Sequence, residues 1–169
     1  MTAPVYVAVC GPGMASPEEE ALAEQVGRLL ARAGAVVVCG GVSGVMDAAA
    51  RGVEAEGGVS IGILPGPHRT EASPHLTYSV PTGMREGRNV LVARAADAMI
   101  AISGEFGTLS EMAFALKIGV PVVGLGTWEL HRRGGRVDAF VAARTPAEAT
   151  EAALRLAADH AAGPAAGTR

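Results

Sequence analysis

The chain has 169 residues, a length that suits one domain, and its 49% hydrophobic content is enough for a substantial core. Charged residues make up 18% and the net charge is −3, which excludes a basic nucleic-acid surface and leaves part of the exterior to be covered by another subunit. No uncharged apolar run approaches the roughly 20 residues of a membrane span, and two cysteines are too few for a disulfide framework. With Met1 leading almost directly into a strand, a cytoplasmic location without a signal peptide is the expectation.

Val5 to Val9 reads as a buried strand, followed by the loop Gly11-Pro12-Gly13-Met14-Ala15. Ser16, Pro17 and Glu19 form a capping box with proline at the first helical position, and Leu22, Val26, Leu29, Leu30 and Ala33 continue at helical spacing until Gly34. Ala35 to Cys39 is apolar on both faces, as in a parallel strand covered by helices on both sides. After Gly40-Gly41-Val42-Ser43-Gly44, a short helix over Val45 to Glu56 and a strand over Val59 to Leu64 are predicted.

Residues 66 to 83 are irregular, with His68, His75 and a short strand near Leu76 to Val80. The histidine spacing fits no metal motif, and no metal site is expected. A helix over Arg85 to Ala96, a buried strand over Ala98 to Ile102 and a helix over Leu109 to Ile118 follow. Pro121 to Leu125 is a strand, 126 to 136 a loop carrying Trp128, and Thr145-Pro146-Ala147-Glu148 a second capping box that opens a helix to about Ala162. Strands alternate with helices throughout. The expected fold is therefore one α/β Rossmann-like domain over 1–162, three layers with a mostly parallel sheet and helices on both faces, and a loose tail over 163–169.

In such a sheet, ligands bind beyond the carboxyl ends of the strands. The glycine-rich turns fall there, at Gly11, at Gly40, Gly41 and Gly44, and at Gly104 and Gly107. Each permits a tight turn, and each also lets backbone N–H groups approach an anion beside a helix N-terminus. Neither GxGxxG nor GxxxxGK[ST] is present, so the turns point to a small phosphorylated ligand without specifying a dinucleotide or ATP.

Two segments are more specific: Gly40-Gly41-Val42-Ser43-Gly44-Val45-Met46, and Arg88-Asn89 with Ser103-Gly104-Glu105-Phe106-Gly107-Thr108-Leu109-Ser110-Glu111. Together they resemble the LOG-like superfamily, which includes cytokinin-activating phosphoribohydrolases, proteins once labelled lysine decarboxylases, and molybdenum cofactor carrier proteins. The phosphoribohydrolases have an Arg-Lys pair and a Pro-Gly-Gly-x-Gly-Thr-x-x-Glu motif. Their catalytic arginine and glutamate fall on Arg88 and Glu111, and their phosphate-cradling residues on Gly104, Gly107 and Thr108. Asn89, Ser103 and Glu105 stand where that pattern has lysine, proline and its second glycine. The Arg-Asn pair and the Gly-Thr-Leu-Ser-Glu ending are more similar to the carrier-like branch.

The local readings remain beside these. Glu111 suits the first turn of a helix, Thr108 suits a helix cap, and Arg88 near a helix start calls for a compensating anion. Gly11 and Met46 are placed at the ligand, Met46 and Met84 also serving as packing, and Trp128 is either a stacking surface for a base or pterin ring or a packing residue. The helix over 109–118 is apolar on nearly every side beyond Glu111, which predicts a homodimer packed through it; the resemblance implies a dimer too. The ligand expected is a nucleotide or a phosphorylated pterin such as molybdenum cofactor, with no cofactor firmly implied. The alternative is a phosphoribohydrolase that releases free base and ribose 5-phosphate from a nucleoside 5′-monophosphate. A lysine decarboxylase is disfavoured, since Lys117, the only lysine, lies late in an apolar helix.

Overall fold

The structure is a computed structural model, and it describes residues 3–161. Seven strands form one sheet: β1 (Tyr6–Cys10), β2 (Val36–Cys39), β3 (Val59–Leu64), β4 (Tyr78–Pro81), β5 (Ala98–Ile102), β6 (Val122–Leu125) and β9 (Val141–Ala143). Their spatial order is β4-β3-β2-β1-β5-β6-β9, and every pairing is parallel. A separate antiparallel pair, β7 (His131–Arg132) with β8 (Gly135–Arg136), stands outside it.

Alternation along β1 sorts the helices. Val7 and Val9 face a core built with α1 (Pro17–Arg32), α2 (Val45–Ala55) and α5 (Pro146–Ala161), while Ala8 and Cys10 face the core of α3 (Asn89–Arg94) and α4 (Phe106–Ile118). This is the doubly wound α/β architecture with helices on both faces. The chain builds outward from β1 to β4, then crosses to β5 on the other side of β1. The crevice between the β1 and β5 loops is therefore the topological switch point, where such sheets bind ligands.

Local chemistry accounts for most boundaries. Ser16 accepts from Glu19 N at 3.2 Å and Glu19 Oε2 accepts from Ser16 N at 2.7 Å, completing the first capping box. The second is only half formed: Thr145 Oγ1 accepts from Glu148 N, but the Glu148 carboxylate reaches Arg144 N instead. Asp97 marks the start of β5, and its Oδ2 accepts from Tyr6 N at 2.9 Å.

Four expectations are corrected. The helix over Arg85 to Ala96 is two pieces, a 3-10 turn over Arg85–Arg88 and then α3, and the left-handed backbone at Gly83 (φ 66) and Arg85 (φ 50) keeps its start from being regular α-helix. Arg88 thus precedes its helix proper. α4 begins at Phe106, not Leu109, with extended Glu105 as its N-cap. Thr108 is therefore the third residue of the helix and not its cap, and Glu111 sits in the second turn. The β7–β8 hairpin arises within 126–136, where only loop was expected, and strand β9 follows in a stretch to which no element was assigned. The tail over 163–169 and the end of the last helix at Ala162 lie outside the described residues. Among the described residues, no helix is long and apolar enough to cross a membrane.

Candidate functional site

A cleft of about 590 Å³ opens over the carboxyl ends of the strands. One wall is the β1 loop, Gly11 to Gly13, and the first turns of α4, with Gly107, Thr108 and Glu111. The other comes from the segments after β3 and β4, and Arg88 and Met46 lie between.

The loops are fixed by backbone bonds. Gly66 O accepts from Thr82 N at 3.1 Å and Gly83 N at 3.0 Å, and Arg85 N donates to Pro65 O at 2.9 Å, which stitches the β3 and β4 loops into one wall. Buried Ser73 donates from N to Gly41 O at 2.9 Å and from Oγ to Asp47 Oδ1 at 2.5 Å. On the other side, Val45 N donates to Pro12 O at 3.1 Å and Ser43 Oγ to Gly13 O at 2.8 Å.

The glycines divide into two groups. Gly11 and Gly107 line the cleft, whereas Gly40, Gly41, Gly44 and Gly104 are not among its lining residues, Gly40 and Gly41 being buried and Gly44 and Gly104 half-buried. Gly40 clears space for the Arg88 guanidinium: a Cβ there would strike Arg88 Nη1 and Nη2 and Met46 Sδ. Gly44 (φ 61) allows the β1 loop to close on α2, whose first N–H is taken by Pro12 O. The first turn of α4, by contrast, has no side-chain cap, so its early N–H groups point to an open end with the helix dipole behind them.

Thr108, Glu111, Met112 and Ala115 form the buried stripe of α4, at the spacing of a core-facing helix side. Glu111 thus places a carboxylate where packing alone would put an aliphatic residue. Arg88 Nη1 donates to Glu111 Oε1 at 3.4 Å, a loose pair with both side chains buried. Burial pushes the Glu111 carboxyl up to about 7, against the opposing pull of Arg88 and of a hydrogen bond with the Cys10 thiol. Burial also raises the Cys10 thiol well above its ordinary range and Cys39 to about 12, so both are protonated thiols at neutral pH. Arg88 is only 8% exposed, and its Nε has no partner among the described residues. A buried guanidinium with a loose partner and an unsatisfied nitrogen is costly unless something anionic completes it.

The departures from the phosphoribohydrolase pattern have structural consequences. Ser103 has φ 52, which proline cannot adopt, and its N donates to Leu125 O at 3.0 Å, which proline could not do. Asn89, buried, donates from Nδ2 to Ser110 Oγ at 2.8 Å and so ties α3 to α4. Glu105 is exposed on the cleft wall. Trp128 is not on that wall; its ring stands 5.6 Å from that of Phe106. His75 pairs with Glu54, away from the cleft.

Sequence reasoning missed Glu71 and Glu86 as wall residues and Cys10 as a neighbour of Glu111, and it left Arg85, which lines the wall, between an exposed and a functional role. The proline- and glycine-rich stretch over 65–83 carried the only available signal for the wall, since a long irregular segment in a compact domain is usually functional. Among the described residues, no group of three or more His, Cys, Asp or Glu could hold a metal ion.

Comparison with known proteins fits this geometry. A molybdenum cofactor binding protein from the phototrophic bacterium Rippkaea orientalis superposes with a TM-score of 0.83 at 30% identity, covering 92% of this chain and 99% of that one. The molybdenum cofactor carrier protein of Chlamydomonas reinhardtii gives 0.81 at 30% identity over the same shares. An uncharacterized protein of Archaeoglobus fulgidus is 37% identical over 121 residues, 72% of this chain and 80% of that protein. The resemblance to LOG-like proteins of the carrier branch therefore extends to the whole architecture. The SLOG cluster4 family model matches residues 4–153, and the chain belongs to that family.

Proposed function

We propose that the cleft binds a small phosphate monoester, nucleotide-like or pterin-like, as a binding or carrier protein. One observation carries this reading: the buried Arg88 guanidinium, given room by Gly40 and left with an unpartnered Nε, lies in the same cleft as the uncapped start of α4. A phosphate there would take the N–H groups of that turn and complete the charge of Arg88. The similarity to proteins described as molybdenum cofactor binding and carrier proteins supports a phosphorylated pterin as the cargo. Binding of nucleoside monophosphates and a pterin phosphate, measured by calorimetry, tests the reading; a lack of saturable binding by all of them would sink it.

A second reading is favoured by Glu111. A carboxyl that titrates near neutral pH beside a buried arginine suits a general base, and a carboxylate there would also stabilise the positive charge that develops as an N-glycosidic bond breaks. Water would add to the ribose carbon while the bond to the base breaks, giving free base and ribose 5-phosphate. Chromatography of nucleoside monophosphates incubated with the protein distinguishes the two readings: base release abolished by Glu111→Ala supports the hydrolase, and saturable binding without release supports the carrier.

The same proposal includes a homodimer. The outward face of α4 leaves Phe106 77% and Phe114 40% exposed, which is apolar surface that a second copy would cover.

A further inference from the structure

The end of the cleft far from α4 is built by the loop after β3. There the carboxylate of Glu71 lies against Gly66, where a Cβ would meet Glu71 Cδ and Oε1 at 2.6 Å and would collide with Oε2. The loop is anchored, since Ala72 N donates to Arg69 O at 3.1 Å and Ser73 binds Gly41 and Asp47. Glu71 is exposed and lines the cleft, as do Glu86 and Glu105. Among the described residues, the one ion pair within the wall is Arg88–Glu111, so Glu71 remains free to accept hydrogen bonds.

Nine-tenths-buried Arg88, with its unpartnered Nε, is an independent sign of an anionic ligand in the same cleft. Adjacent strands lie about 4.8 Å apart, so the β3 loop is about 10 Å from the β1 loop. A phosphate held at the α4 end leaves the opposite end of a nucleotide-sized ligand at Glu71. A carboxylate there is an acceptor only. It takes two parallel N–H bonds best from a planar group with an amino substituent beside a ring N–H, the fork geometry by which it takes arginine. Guanine and pterin rings share that edge. Adenine and hypoxanthine lack it.

We propose that Glu71 reads the 2-amino-4-oxopyrimidine edge of the ligand, so that the cleft selects a guanine or pterin phosphate monoester. This rests on the reading of the cleft as a phosphate-monoester site. The test is calorimetric titration of the full chain, and of its Glu71→Gln and Glu71→Ala variants, with GMP, IMP, AMP and 6-hydroxymethylpterin phosphate. GMP is expected to bind about tenfold more tightly than IMP, the size of one charge-assisted hydrogen bond. Both variants should weaken GMP more than IMP, which keeps only the ring N–H of that edge, and so remove most of the preference between them while leaving AMP nearly unchanged, with circular dichroism showing the fold intact. Tighter binding of the pterin phosphate than of GMP supports the proposal with a pterin source, and the reverse supports it with a guanine nucleotide. Equal affinity for the three nucleotides, or a GMP preference that survives in the variants, overturns the role of Glu71 alone. No binding of any monoester overturns the phosphate site and this inference with it.

Discussion

The guanidinium of Arg88 occupies the space in which a side chain on Gly40 would begin. The backbone at Gly40 is outside the left-handed region, so the glycine is needed for space and not for its conformational freedom.

Gly40→Ala is therefore expected to fold and to displace Arg88, because the colliding atoms are the ends of flexible side chains. We expect a loss of about 1–3 kcal/mol in stability from overpacking and at least about tenfold in affinity for a phosphate monoester. Denaturant melts and calorimetry measure the two separately. Unchanged affinity would remove Arg88 from the anchor role.

Glu111 makes stability depend on pH in a defined direction. Its folded carboxyl titrates at about 7, above the ordinary 4.5, so the folded state holds the proton more tightly than the unfolded chain does. That contribution is fully present below pH 4.5 and is lost as pH rises through 7. Glu111→Gln, which mimics the protonated form, should match the parent protein near pH 4 and exceed it by on the order of 3 kcal/mol at pH 8. Urea denaturation of both proteins across that range would show the difference widening; a constant difference would refute the assignment.

The left-handed backbone at Ser103 makes two opposite substitutions informative. Ser103→Pro should lose about 3 kcal/mol or more, through an impossible φ and a lost N–H bond to Leu125 O. Ser103→Gly should gain roughly 1 kcal/mol by relieving the left-handed strain. Thermal melts of the pair decide it, and a tolerated proline would mean that the loop adopts the phosphoribohydrolase-like form.

The exposed face of α4 predicts association. Phe114→Glu is expected to convert a dimer to a monomer at micromolar concentration in analytical ultracentrifugation, since it places a charge in an apolar interface. A parent chain that is already monomeric there would end the proposal.

Much of this architecture could be read locally, and the failures were non-local. The Ser16 box and the buried strands rest on neighbours in sequence, which the pattern displays. The arrangement at Asn89 did not, because its partner Ser110 lies on another helix. Glu111 was recognised by its motif, yet its turn was misplaced: Gly107 in the first turn of α4 looked like part of the loop. β9 has three residues, two of them exposed, and its short apolar stretch is too brief to separate a strand from a loop. The far wall of the cleft was unreadable because Glu71 and Glu86 acquire their positions from bonds between loops that alternation and helical spacing do not encode.

Where the chain reverses direction across its sheet also governs how the protein assembles. Residues through β4 can lay down β1 to β4 in sequence, leaving β1 as an exposed hydrophobic edge until β5 arrives some ninety residues later and Asp97 bonds to Tyr6. Pairing at such sequence separation is slow and leaves a half-built sheet open to aggregation. The cleft lies on that seam, so it comes into being only when the two halves join, and a ligand that bridges the β1 and β5 loops would hold the halves together during assembly as well as afterwards.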